Sequence, residues 1–333
     1  MTPVLQKFEV LLDDPDRTFS PGQTIFGRVV VHLSRIKTVK GLKVSVKGQG
    51  EVGWCHPSGN HGNMTSYLND EEYLRIEFYL LGEADEKIEI PAGEHEYPFN
   101  FSLPENIPST FVHKHGRVYY TITAVLERPW KFDHMADLAF AVETPFDLSQ
   151  YPPAMHPIDD EEQKPFYCFP CCRMGSMKVR VYVPMSGFDV GETIEARIDI
   201  DNNSTHVDVT KIELNLEQII KVQGHSTVNQ IIQVYKRGHT KKSCHIVQTT
   251  ERYKPFDKTT EISIGLKVPP LPSSNLAHCN IIDVKYRLNV DISVSNCQGS
   301  TRRSYPIVIG RKPAPSASSF QNDHGNPPAA TIN

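Results

Sequence analysis

The stretch Phe19–Val31, FSPGQTIFGRVVV, is written a second time at Phe188–Ile200 as FDVGETIEARIDI. Phe19/Phe188, Gly22/Gly191, Thr24/Thr193, Ile25/Ile194 and Arg28/Arg197 coincide in register. The remaining matches are conservative: Gln to Glu, Gly to Ala, and Val to Ile twice. In each copy the glycine suits a turn, where it adopts a positive φ at no steric cost. The T-I-x-x-R run that follows begins a strand, with Ile25 or Ile194 turned inward and Arg28 or Arg197 toward solvent. A cross-strand ion pair and a ligand contact are both open to the two arginines. A chain of 333 residues fits two domains of roughly 150 residues each, so the repeat reads as a duplicated domain.

The rest of the chain has the period of a strand. In VKYRLNVDISV, Val284, Tyr286, Leu288, Val290, Ile292 and Val294 share one face, while Lys285, Arg287, Asn289, Asp291 and Ser293 take the other, expected to be wet. LKVSVK (Leu42–Lys47), IELNLE (Ile212–Glu217) and ISIGLKV (Ile262–Val268) alternate likewise. No helical stripe is present. The ends of the halves also echo each other: VYYTITA (Val118–Ala124) matches VKYRLNV, and each follows a strand running into prolines. The pattern predicts an all-β chain with little helix, made of two tandem immunoglobulin-type β-sandwiches. The first is expected over residues 1–150 and the second over 176–312, with a linker at 151–175 and a disordered tail at 313–333. In the linker, prolines precede Asp159–Asp160–Glu161–Glu162, which suits an exposed connector rather than a strand.

Function is harder to find. A net charge of −4 does not advertise nucleic acid, and no aromatic-interleaved basic run suited to stacking bases is present. MTPVLQKFEV has no apolar signal core, no run of about 18 apolar residues occurs, and the cysteines number seven. These features predict a soluble protein of a reducing cytosol. There is no G-x-S-x-G elbow, H-E-x-x-H or phosphate-binding G-x-x-x-x-G-K-[ST] motif, so neither an enzyme nor a cofactor is expected. His113 and His115 form an H-x-H that reads either as a metal pair or as loop histidines, and Cys244–His245 lacks an ordering partner. Cys168, Cys171 and Cys172 in CFPCC have three readings: packing, a metal site, or reversible acylation beside Phe166, Tyr167 and Phe169, which could meet a membrane. Arg35, Lys37, Lys40, Lys43 and Lys47 form one basic stretch, and Lys236, Arg237, Lys241 and Lys242 form another. They read as solvated faces or as surfaces for acidic or phosphorylated segments and anionic lipid.

Together FEVLLDDPDRTFSPGQTIFGRVVV, YPFNFSLPENIPSTF, GRVYYTITAVLERP, CFPCC, GFDVGETIEARIDIDNNS and HCNIIDVKYRLNV resemble the arrestin-domain-containing proteins, or α-arrestins, across most of residues 5–311. The resemblance implies two arrestin-like sandwiches side by side. It also implies a non-enzymatic cytosolic adaptor in endocytosis and endosomal sorting, recruited to plasma membrane or endosomes and bound to cytoplasmic tails of receptors or transporters. The alternative is a receptor-desensitising or sensory arrestin. In the N-terminal domain it points to Lys7 and Arg28 as binding residues for acidic or phosphorylated tails, with Lys37 and Lys40 as further candidates. Family members commonly carry P-P-x-Y motifs for ubiquitin-ligase WW domains. Here PPAM (Pro152) and PPAA (Pro327) lack the tyrosine, so a ligase is expected to be reached indirectly.

Overall fold

The computed structural model describes residues 3–58, 63–82, 87–144, 146–169, 172–226, 238–296 and 298–312. The first half contains β1 (Leu5–Leu12), β2 (Thr18–Phe19), β3 (Thr24–Leu33), β4 (Lys37–Val39), β5 (Gly41–Ser58), β6 (Asn63–Leu81), β7 (Ile88–Ile90), β8 (Gly93–Ser102), β9 (Phe111–His113), β10 (Gly116–Glu127) and β11 (His134–Val142). Two short 3-10 turns, Leu148–Gln150 and Pro152–Met155, lead into the second half. There follow β12 (Ile158–Phe169), β13 (Cys172–Val183), β14 (Gly187–Phe188), β15 (Thr193–Asn202), β16 (Val209–Ser226), β17 (Gly238–Tyr253), β18 (Thr259–Lys267), β19 (Ile282–Val294) and β20 (Thr301–Ile309).

These strands form two tandem β-sandwiches. In the first, β1-β3-β8 packs on β6-β5-β10-β11-β2; in the second, β12-β13-β15-β18 packs on β16-β19-β20-β14. The inward residues of β10 (Val118, Tyr120, Ile122, Ala124 and Leu126) are all buried, as are Ile194, Ala196 and Ile198 of β15. Each large aliphatic or aromatic side chain so buried stabilises by roughly 1.5–3 kcal/mol relative to exposure. Across the first core, Phe101 of β8 and Phe19 meet Phe140 of β11 at 6.3 and 5.9 Å between ring centres. The two larger sheets run into one another where β16 pairs with β6, His225 against Leu68 and Ser226 against Tyr67.

The repeat seen in the sequence is a repeat of hydrogen bonds. Gly22 and Gly191 have φ of 78° and 89°. The Gly22 N–H donates to Pro104 O at 3.3 Å, as Gly191 N–H does to Val268 O at 3.0 Å. Tyr120 donates its hydroxyl to Pro108 O at 2.6 Å and Tyr286 to Pro272 O at 2.7 Å, so the matched tyrosines tie each penultimate strand to the proline loop before it. Even the repeated arginines agree. Arg28 lies 3.4 Å from Glu96, and Arg197 lies 3.3 Å from Glu261. Each glutamate is the diagonal neighbour on the adjacent strand, opposite Val30 or Asp199, a position long side chains reach across an antiparallel pair.

Two expectations need correction. The acidic run is not a bare connector: it forms the first half of β12, paired with β13 from Ile158/Val183 onward. Its alternating carboxylates are neutralised on both faces. Asp159 meets Arg180 at 2.6 Å and Glu161 meets Lys178 at 2.9 Å, while Asp160 and Glu162 share Arg303 at 2.5 and 3.3 Å. The second face of β19 is wet only in part: Lys285 is exposed and Arg287 and Ser293 are half-buried, but Asn289 and Asp291 are buried. Glu217 accepts from Arg287 at 2.5 Å and from Asn289 at 2.9 Å, and Asp291 accepts from Arg302 at 2.6 Å. Polar side chains that pair with each other can be covered without leaving a charge unsatisfied.

Candidate functional site

β1 ends its sheet: its one partner among the described residues is β3. Alternation places Lys7, Glu9 and Leu11 on the outer face, opposite His32, Val30 and Arg28. There Lys7 meets Glu9 at 2.7 Å, two residues along the same face. The hydrogen bond to Glu9 raises the ammonium's proton affinity, burial opposes it, and the charges of Glu9, Glu94 and Glu96 add to the rise. Arg28 faces Asp13 at 3.3 Å as well as Glu96. Its Nε lacks a well-aligned hydrogen bond although Glu96 is close, so the contact is an ion pair by distance and not a saturated one. The outer face thus sets two cations among several carboxylates.

Lys37 lies elsewhere. It opens β4, which pairs with β7, and its Nζ is 2.8 Å from His134 Nε2. The two sit in a cleft of about 790 Å³ lined by Pro3, Val4 and Leu5 at the start of β1, by Arg35, Ile36 and Thr38, and by Arg128, Pro129 and Lys131. Burial first, then Arg128 and Lys131, lowers the proton affinity of Lys37; burial, then Lys37 and Arg128, lowers that of His134. This is a concentration of positive charge, and none of Arg35, Lys37, Arg128 and Lys131 is in an ion pair among the described residues. Lys40 does not line the cleft; its backbone N–H donates to Glu127 O at 2.8 Å. The four basic candidates therefore occupy three places, with Lys7 and Arg28 on the outer face, Lys37 in the cleft and Lys40 apart from both, and the start of β1 borders the cleft. The cleft's partners Arg128, Lys131 and His134 escape a search by basic stretch because they come from a distant hairpin. Their sequence signal is ERPWKFDH, a short interleaving of basic and aromatic residues that a search for longer basic stretches passes over.

The remaining candidates separate. Cys168 is exposed near the end of β12, Cys171 lies outside the described residues, and Cys172 begins β13 with its side chain likewise outside them. Phe166, expected beside a membrane, is instead completely buried, because β12 turns it into the core. Tyr167 is half exposed and held by Gln298, which accepts from its N–H at 3.1 Å and donates to its carbonyl at 2.7 Å. The rings of His113 and His115 lie 5.6 Å apart, and burial lowers the proton affinity of both. No cluster of three metal-ligating side chains occurs among the described residues. Cys244 and His245 are consecutive on β17, so their side chains point to opposite faces and cannot act as a dyad.

No helix among the described residues is long and apolar enough to cross a membrane. The family model for the arrestin (or S-antigen) N-terminal domain matches residues 8–149, and that for the arrestin (or S-antigen) C-terminal domain matches 173–314. Arrestin domain-containing protein 17 of Caenorhabditis elegans is 27% identical over 322 residues, which span 93% of this chain and 71% of that protein. Human thioredoxin-interacting protein is 26% identical over 309 residues, spanning 92% and 75%. With both sandwiches matched in order and the turn, tyrosine and arginine contacts duplicated between them, the chain belongs to the arrestin family of adaptor-type proteins, in its arrestin-domain-containing (α-arrestin) branch.

Proposed function

We propose that this protein is a non-enzymatic adaptor in membrane-protein trafficking that holds the cytoplasmic tail of a receptor or transporter along β1. The observation that carries this reading is the open edge of β1 beside Lys7, with a basic cleft at its beginning. An extended peptide added to such an edge gains main-chain hydrogen bonds, and its acidic or phosphorylated side chains find cations along the way. The local ion pairs of Lys7 and Arg28 do not stand against this. Exposed pairs of this kind are worth about 0–1 kcal/mol, whereas charge-assisted hydrogen bonds to a ligand contribute about 1.5–3 kcal/mol each. Lys37 supplies further charge near the start of the strand, and Lys40, outside the cleft, is a weaker addition.

Cargo held in this way would be passed to ubiquitination and endosomal sorting, with the ligase reached through a partner that carries P-P-x-Y. The test is fluorescence anisotropy with phosphorylated and unphosphorylated tail peptides. Lys7→Ala with Arg28→Ala should weaken the phosphorylated peptide by roughly tenfold or more, and added salt should weaken it further. Unchanged affinity would leave both residues to structural pairing alone.

A further inference from the structure

The turn between β10 and β11, Arg128–Asp133, carries Trp130 and Phe132 at 97% and 93% exposure. Its neck is fixed. Arg128 N–H donates to Asp133 Oδ1 at 2.8 Å, and the Arg128 guanidinium Nε donates to Phe132 O at 2.6 Å. A built turn thus holds two large aromatic side chains out where they touch almost nothing of the protein. Ile36, also exposed, lies beside it in the cleft wall.

Charge decides what this tip meets. Arg35, Lys37, Arg128 and Lys131 gather behind it around the 790 Å³ cleft. Among the described residues, the lining of the cleft contains these four cations and no carboxylate. The nearby described acids, Asp133, Glu127 and Glu89, lie outside it, Asp133 turned to the Arg128 N–H and Glu127 to the Tyr79 hydroxyl at 3.2 Å. The mouth of the cleft is therefore positive on a chain whose net charge is −4. Here the aromatics crown a convex turn with cations set back from them, the order in which a membrane presents its interface and its phosphates.

We propose that the β10–β11 turn is a membrane anchor: Trp130 and Phe132 enter the interfacial layer of an anionic leaflet while Arg35, Lys37 and Lys131 bind lipid phosphates at the mouth of the cleft. The aromatic tip is separate from tail binding on β1, though the cleft behind it borders that strand and brings its start close to the bilayer from which a tail emerges.

Sedimentation of the full chain with vesicles tests it. Vesicles of phosphatidylcholine and phosphatidylserine should carry the protein down and vesicles of phosphatidylcholine alone should not, with binding lost in high salt. Trp130→Asn with Phe132→Ser should lower partitioning by at least roughly tenfold. Asparagine is chosen because residue 130 has φ of 59°, which it tolerates. Lys131→Gln and Arg35→Gln should each lower partitioning about fivefold. All four side chains lie on the surface, so thermal melts should stay unchanged. Trp130 and Phe132 stand outside the cleft at the start of β1, so the Trp130/Phe132 variant should also keep its tail-peptide affinity in solution, which separates the aromatic tip from β1. In a Trp54→Phe chain Trp130 is the one remaining tryptophan of the two, and its emission should shift to the blue on anionic vesicles. Absence of vesicle binding, equal binding to neutral vesicles, or binding indifferent to the Trp130/Phe132 variant would overturn the proposal. So would a tip that affects capture of a protein partner but not of lipid.

Discussion

Replacing Tyr286 by Phe removes one oxygen atom and should be felt through two partners. The hydroxyl donates to Pro272 O at 2.7 Å and accepts from Gln218 Nε2 at 2.8 Å. Pro272 is exposed, so its carbonyl returns to water and the loss there is the net worth of one hydrogen bond, about 1 kcal/mol. Gln218 is only 6% exposed, so its amide is left dry, at a cost of about 1–3 kcal/mol. The sum is about 2–4 kcal/mol, which for a sandwich of this size lowers the melting temperature by roughly 5–15 °C. Tyr120→Phe in the first sandwich removes only the bond to Pro108 O, itself buried, and should cost about 1–3 kcal/mol. Calorimetry of the full chain, with the two domain transitions fitted separately, reads both variants. The decisive comparison adds Gln218→Met. Removing both partners of a buried bond costs less than removing one, so Tyr286→Phe with Gln218→Met should recover about 1 kcal/mol relative to additivity, whereas Tyr120→Phe with Gln218→Met should be additive. Additivity in both pairs would refute the reasoning that an unsatisfied amide carries the cost.

Gly27→Ala places a Cβ 2.5 Å from Leu11 O and 2.9 Å from the Phe99 ring, so it forces β1 away from β3; urea melts should show a loss of about 1–3 kcal/mol and tail binding should weaken with it. Stability should fall on acidification in two stages. Burial depresses His113, His115 and His134 below the ordinary 6.5, so their contribution is present above that value and is lost as pH falls through the lowered folded values. Hydrogen bonds from Arg303 and Arg287 depress Asp160 and Glu217, so their share is complete above the ordinary 3.8 and 4.5 and lost below. Melts that stay level from pH 7 to 3 would contradict both stages. Titration of WW domains into the chain should give no low-micromolar affinity, because PPAM is folded into a 3-10 turn with Ala154 buried and offers no tyrosine; tight binding would make the ligase link direct.

The duplication was legible because turn glycines, inward tyrosines and diagonal ion pairs each demand particular residue types at particular spacings. What stayed hidden depended on strands meeting across long sequence distances. The Asp159–Glu162 run looks like a solvated connector until β13 and β20 bring Arg180, Lys178 and Arg303 to it. The face of β19 reads as wet because nothing local tells that Glu217 and Arg302 will cover it. The acidic surroundings of Lys7 stayed hidden for the same reason, since Glu94 and Glu96 arrive from β8, whereas the cross-strand ion pair of Arg28 was one of the two readings open to it. The basic cleft draws on residues 3–5, 35–38 and 128–134, and its charge could be read from the sequence only once β10 and β11 were known to form a hairpin.

Hydrogen exchange of the full chain with and without a phosphorylated cytoplasmic-tail peptide asks directly whether cargo lies along β1. A strand added at the open edge ties up outward backbone N–H groups of Leu5–Leu12, and exchange there should slow when the peptide is bound and recover in high salt. A bound peptide that leaves the exchange of Leu5–Leu12 unchanged, while protecting amides elsewhere, would contradict the role given to β1.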